Sequence, residues 1–145
     1  MLLKLFSSYF FVVINSLPQN AVSLFKVSSC STETDLMKNV VLSVDPILPQ
    51  SDYTLFLSGD LTQEVNDGTS EYSVTYNFIP LTPTFEVLCD EIAKSNITCP
   101  LKIGNVASQS KGTIPTGLSG NTNIKNQWFN IKKQRILCMQ FKITL

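Results

Sequence analysis

Apolar and polar side chains alternate one for one through the middle of this chain: Tyr72, Val74, Tyr76 and Phe78 are interleaved with Ser73, Thr75 and Asn77. A period of two sends successive side chains to opposite faces of a strand, and a helix cannot use it. The same period recurs on either side. Leu36, Val40, Leu42 and Val44 share a face, with Lys38 as the exception, and Pro46 and Pro49 close that run. Tyr53, Leu55 and Leu57 alternate in a strand that stops at Gly59-Asp60, and Asn66-Asp67-Gly68 is a turn signal. Pro80 and Pro83 break the central run, after which Phe85, Val87 and Cys89 make a short strand. Val106 to Ile114 is a polar, weakly patterned strand ending at Pro115; Gly117 to Gly120 is a loop; Ile124 to Ile131 is a strand containing Trp128. After the turn Lys132-Lys133-Gln134, Leu137, Met139, Phe141, Ile143 and Leu145 share the face of a last strand. Only Cys89 to Ala93 has helical character, in a stretch too short to matter to the fold. Seven or eight short strands in 145 residues predict one all-β domain, an antiparallel sandwich.

The N-terminus reads differently. Lys4 precedes the apolar run Tyr9-Phe10-Phe11-Val12-Val13-Ile14, which is too short to span a bilayer, and Ala21-Val22-Ser23 supplies small residues at cleavage spacing. We expect a signal peptide over residues 1–23 and a mature domain over residues 24–145. On a secretory route the four cysteines, Cys30, Cys89, Cys99 and Cys138, form two disulfides, with three pairings open. Asn96-Ile97-Thr98 is a glycosylation sequon that belongs on a surface loop.

Several chemistries are excluded or disfavoured. The chain has no histidine, which removes Ser-His and Cys-His nucleophiles and imidazole metal ligands. Asp90-Glu91 are adjacent carboxylates that a strand would point to opposite faces. No cysteine spacing fits a zinc knuckle, and no glycine loop fits a phosphate cradle. The expectation is a protein that is not an enzyme and has no metal and no cofactor. All eleven acidic residues lie between Glu33 and Glu91, and the eight basic residues after Ile92 have no acidic neighbour in sequence. Aromatic residues do not interleave with those basic ones, so no nucleic-acid groove is expected.

Leu88-Cys89-Asp90, Cys99-Pro100-Leu101, Ile114-Pro115, Trp128 and Leu137-Cys138 occur in the order and spacing of the ML lipid-recognition superfamily, which the chain resembles from about Cys30 onwards. Gly59 and Gly68 also fall where that family tends to have glycine. The group includes the Niemann–Pick type C sterol carrier, the group 2 mite allergens and secreted phosphatidylglycerol/phosphatidylinositol transfer proteins. The resemblance implies an immunoglobulin-like β-sandwich with a lipid cavity between its sheets. It implies disulfides Cys30–Cys138 and Cys89–Cys99. Two departures stand out. This chain lacks the cysteines for a third disulfide found in many members, from which a looser loop from Pro46 to Asp52 is expected. It also has Gly117-Leu118-Ser119-Gly120 where the sterol carriers tend to have a Tyr-Pro pair at the cavity mouth.

On that resemblance the expected cavity lining is Leu55, Leu57, Tyr72, Val74, Tyr76, Phe78, Ile114, Ile124, Trp128, Met139, Phe141 and Ile143. Without it, the same residues would read as a filled core. The expected function is binding and intermembrane transfer of a lipid, phosphatidylglycerol or phosphatidylinositol first. Sterol transfer, or a lipid-sensing co-receptor or adhesion module, are the alternatives. The expected partners are the lipid and, transiently, a membrane surface reached through Lys125, Lys132, Lys133 and Arg135. The expected state is a monomer, secreted or in a lysosomal or endosomal lumen.

Overall fold

The computed structural model describes residues 24–45, 52–113 and 120–144. The expected signal peptide, Ile114, Leu145 and the loop residues 46–51 and 114–119 lie outside the described residues. The described residues form nine strands and one short helix: β1 Leu24–Ser29, β2 Met37–Asp45, β3 Asp52–Leu61, β4 Gly68–Tyr76, β5 Ile79–Pro80, β6 Thr84–Val87, α1 Leu88–Ala93, β7 Gly104–Thr113, β8 Asn121–Asn130 and β9 Arg135–Thr144. The larger sheet runs β1-β9-β8-β4-β5, with β6 also on the outer edge of β4; the smaller runs β2-β3-β7. Every pairing is antiparallel. The all-β antiparallel sandwich expected from the alternation is what the chain forms, in the immunoglobulin-like arrangement that the resemblance implies.

The exception noted at Lys38 has a structural cause. The β2–β3 register shifts between Lys38 and Val41, and Asn39 takes a positive φ of 54°. This β-bulge changes the phase of the strand, so that Met37 points inward before it and Val40, Leu42 and Val44 after it. The third strand does not stop at Gly59-Asp60 but continues to Leu61. Glycine is required at position 68, where a Cβ would lie 1.8 Å from the carbonyl oxygen of Phe129. There β4 meets the register shift that β8 makes against β9 between Trp128 and Phe129.

Two apolar clusters fill the sandwich. The larger is built on Met37, Leu57, Leu61, Leu88, Ile92, Trp128, Ile136, Leu137 and Met139, at the end where β3 and β8 finish and β9 begins. The smaller holds Phe25, Ile124 and Ile143, with Val44, Tyr53 and Val74 against it, at the opposite end. The ties lie at the first end. Cys30 bonds to Cys138 and Cys89 to Cys99. Arg135 Nε donates to Asp35 Oδ1 at 2.8 Å, and the Leu36 amide donates to the Arg135 carbonyl at 3.1 Å. These contacts hold the crossover from β1 to β2 against β9.

The helical stretch at Cys89 matters more than its length implied. Leu88 and Ile92 are fully buried in the larger cluster, and Cys89 lies on α1, not on a continuation of β6. One turn of helix here carries two core side chains four residues apart on one face.

Candidate functional site

The inner face of β7 is where the two sheets fail to fill the space between them. Its inward positions are Val106, Ser108, Ser110 and Gly112, small residues after the first. The Tyr53 ring covers Gly112, and opposite Ser110 the large sheet presents Ile124, Trp128, Met139, Phe141 and Ile143 around a cavity of about 200 Å³. Phe25, Tyr53, Leu55, Tyr72 and Ile92 complete its apolar wall. Its exposed lining residues are Lys94, at the C-cap of α1, and Lys111 of β7, so the cavity opens between α1 and β7.

A polar network stiffens the wall. Trp128 Nε1 donates to Asn126 Oδ1 at 3.0 Å, and Asn126 Nδ2 donates to Ser70 Oγ at 2.8 Å and to the Glu71 carbonyl at 3.0 Å. Asn126 and Ser70 are buried, so each of these bonds satisfies a group that would otherwise cost about 1–3 kcal/mol. Near the opening, the Tyr72 hydroxyl donates to Glu91 Oε1 at 2.5 Å. Burial, then that bond and the neighbouring Glu91 charge, push the Tyr72 phenol well above its ordinary range. Burial alone raises the Tyr53 phenol.

Glu91 and Glu86 influence each other's ionisation. Hydrogen bonding to Glu91 is the main cause that lifts Glu86 to about 7; burial and the Glu91 charge add to it, and Lys94 opposes. Burial also pushes Glu91 up, but the hydrogen bonds from Glu86 and Tyr72 and the charge of Lys94 outweigh it and hold Glu91 below the usual carboxylate range. Glu91 Oε2 is buried and no amide or hydroxyl reaches it; Lys94 Nζ stands 3.7 Å away. Among the described residues no group of three or more Cys, Asp or Glu side chains is placed to hold a metal ion.

Seven of the twelve side chains expected to line a cavity do line this one: Leu55, Tyr72, Ile124, Trp128, Met139, Phe141 and Ile143. Leu57 is buried in the larger cluster instead, because β3 runs past the cavity towards the tied end. Val74 packs on the smaller cluster, and Tyr76 is half-buried at the end of β4. Phe78 is not inside at all. The strand ends at Tyr76, Asn77 and Phe78 form the turn to β5, and Phe78 is 82% exposed. Alternation alone carried that residue inward past the end of its strand. Ile114 lies outside the described residues. Asn96 is exposed in the turn after α1, with a positive φ of 60°.

Phe25, Tyr53, Glu91, Ile92, Lys94, Ser110, Lys111 and Asn126 line the cavity without having been expected there. Tyr53 was signalled by its alternation with Leu55. The helix residues were missed because a helical stretch that short, though visible at Cys89 to Ala93, suggested no role, and Ser110 because a small polar residue facing inward looks like a failed strand pattern. The basic residues of the last hairpin are placed as follows. Arg135 is engaged by Asp35, and Lys132 and Lys133 lie in the β8–β9 turn at the tied end, away from the smaller cluster.

The family model described as ML domain matches residues 24–145. Phosphatidylglycerol/phosphatidylinositol transfer proteins from three fungi are similar in sequence. That of Debaryomyces hansenii is 34% identical over 80 residues, covering 54% of this chain and 41% of the relative. That of Mycosarcoma maydis is 27% identical over 122 residues, covering 80% and 63%. That of Aspergillus oryzae is 26% identical over 106 residues, covering 72% and 61%. The chain thus spans less than two thirds of the length of these curated relatives. Among solved structures, chicken MD-1 complexed with lipid IVa superposes with a TM-score of 0.62 at 12% identity, over 88% of this chain and 93% of that one. A Niemann-Pick type C2 protein from the Japanese carpenter ant gives 0.57 at 16% identity, over 81% and 96%.

Proposed function

The chain belongs to the ML domain family, and from that premise we propose that it binds a lipid between its two sheets and carries it from one membrane to another, with phosphatidylglycerol or phosphatidylinositol as cargo. The observation that carries this reading is the cavity between Ile124, Phe141 and Ile143 on one sheet and Leu55 and Ser110 on the other, open at Lys94 and Lys111. The names of the three fungal relatives support the choice of lipid. Each methylene moved from water into such a wall contributes about 0.8 kcal/mol, so acyl chains need few specific contacts to enter. The phosphodiester stays at the opening, where the two lysines favour a negative charge. At about 200 Å³ the cavity is smaller than the roughly 300–1,000 Å³ of pockets that enclose drug-sized ligands, so two acyl chains enter only as the sheets part. They part at the end of the smaller cluster, because the disulfides and the Asp35–Arg135 pair hold the other. Carriage of this kind makes and breaks no covalent bond. Two disulfides fit an oxidising compartment, reached through a signal peptide over residues 1–23 and ending outside the cell or in a lysosomal or endosomal lumen.

Native mass spectrometry of the protein purified from its own cells tests the cargo directly, with an anionic glycerophospholipid as the expected co-purifying mass. Transfer of fluorescent phosphatidylglycerol from anionic vesicles should also slow as salt rises, since screening acts over about 10 Å at 0.1 M. Tight binding of a fluorescent sterol, with no transfer of either phospholipid at any salt, would overturn the reading.

A further inference from the structure

Phe78, which alternation assigned to the cavity, stands at the tip of the β4–β5 hairpin instead, and it does not stand alone. Ile79, Leu81, Phe85 and Val87 are also exposed, in the segment that forms β5 and β6 on the outer edge of β4. From Tyr72 to Phe85 the chain carries no charge. Asn77 and Phe78 both have positive φ, 47° and 67°. A two-residue turn of that kind is cheapest with glycine in the second place, and a bulky aromatic there is uncommon. A residue held against its backbone preference, and not buried, points to a role for its side chain.

We infer that this hairpin tip and the adjoining β6 edge are the surface by which the protein docks on an anionic phospholipid bilayer. The inference rests on the carrier reading above and adds the place of contact. Three observations select a bilayer as the occupant. The first is the state of the backbone. Entering lipid is costly for an unpaired N–H, and here the Asn77 amide donates to the Asn121 carbonyl at 2.8 Å and the Leu81 amide to the Val74 carbonyl at 2.8 Å, while Pro80 and Pro83 have no N–H. The same two prolines interrupt the row of donors that strand addition by a second copy or an extended peptide would use. The second is continuity with the candidate site. β6 runs directly into α1, whose Glu91 and Ile92, followed by Lys94, line the cavity beside its opening, so a bilayer against Phe85 and Val87 lies next to the mouth. The third is charge. On the exposed outer face of the same sheet, Lys125 pairs across from Ser73 of β4, and Lys142 pairs across from both Asn123 and Lys26. β1, β8 and β9 contain no acidic residue, and the acidic residues of β4 and β6, Glu71 and Glu86, lie towards α1 and away from the hairpin tip.

The test is flotation of the purified protein with vesicles of equimolar phosphatidylcholine and phosphatidylglycerol, using a Phe78→Gly, Ile79→Thr, Leu81→Thr variant. Glycine relieves the positive φ, so the variant should melt no lower than wild type and keep its bound lipid by native mass spectrometry. Its vesicle partitioning should fall on the order of a hundredfold, which is about 2.8 kcal/mol. A Lys132→Glu, Lys133→Glu variant, altered in the β8–β9 turn at the opposite end of β4 from the hairpin tip, should float like wild type. Equal flotation of wild type and the triple variant would overturn the docking surface. A wild-type dimer that the triple variant converts to monomer, with flotation unchanged, would give the surface to a second copy. Normal flotation by a wild-type protein that retains no lipid would overturn the carrier reading and leave the docking surface standing.

Discussion

Replacing Arg135 with methionine keeps an unbranched side chain and removes the guanidinium from a buried partner. In the native fold Arg135 Nε donates to Asp35 Oδ1 at 2.8 Å and Nη1 donates to Gln127 Oε1 at 3.1 Å, and Asp35 is only 2% exposed. After the substitution the carboxylate keeps the Thr32 amide at 3.1 Å and the Thr32 hydroxyl at 3.5 Å, and no positive charge. Breaking a buried ion pair from one side costs about 3–5 kcal/mol, because the remaining charge stays out of water. The Arg135 side chain is itself 23% exposed, so water reaches its position and the low end, about 3 kcal/mol, applies. For a domain of this size that is a fall of about 12 °C in Tm, at about 4 °C per kcal/mol. The assay is thermal and urea unfolding of wild type, Arg135→Met, Asp35→Asn and the double variant. The double variant should recover at least about half of the loss, since it buries no charge. A loss below about 0.5 kcal/mol for Arg135→Met would refute the reasoning and return Arg135 to the solvated surface.

The disulfides should contribute unequally. Loop closure across the 108-residue separation of Cys30 and Cys138 is worth about 4.8 kcal/mol, against about 2.7 for the 10-residue separation of Cys89 and Cys99, as read by urea unfolding of the paired serine variants. Phe141→Asp places a charge on the cavity wall and should abolish phospholipid transfer, with a stability loss well above that of a surface change; normal transfer by a folded variant would remove Phe141 from the wall. The raised Glu86 adds stability below its unfolded range, near pH 4.5, that is lost as pH rises through about 7. The depressed Glu91 contributes in the opposite sense, its share being lost in acid below the ordinary carboxylate range. Glu86→Gln should therefore flatten the decline in urea midpoint between about pH 5 and pH 8, and an unchanged slope would place the titration elsewhere.

Sandwich architecture was legible because alternation reports directly on a pleated surface with one buried face. What alternation could not report is where a strand ends or changes phase. Tyr76 closes β4 two residues before the apolar pattern stops, and Asn39 resets β2 with a bulge that made Lys38 look anomalous. The site was half legible for a related reason. Large apolar residues of β8 and β9 announce a wall, whereas the space beside them is bounded by Ser110, which announces nothing. The seven residues of contact between expectation and cavity all come from strands with strong patterns. Glu91, Ile92 and Lys94 belong to one helical turn and its cap, below the length at which periodicity becomes readable. The basic character of the C-terminal half was plain in the sequence, but which cations face solvent depends on partners a hundred residues away, as Asp35 does for Arg135.

Trp128 is the only tryptophan in the chain, and it stands on the cavity wall with its indole N–H fixed to Asn126 Oδ1. A fluorophore held in one pose on the wall of the cavity proposed for the lipid changes its emission when the medium beside it changes and not because the ring itself turns. On the proposed function, the molecule therefore contains its own gauge of loading. Empty and filled populations can be counted by intrinsic fluorescence in a single titration, on unlabelled protein and unlabelled lipid, with no dye competing for the volume being measured.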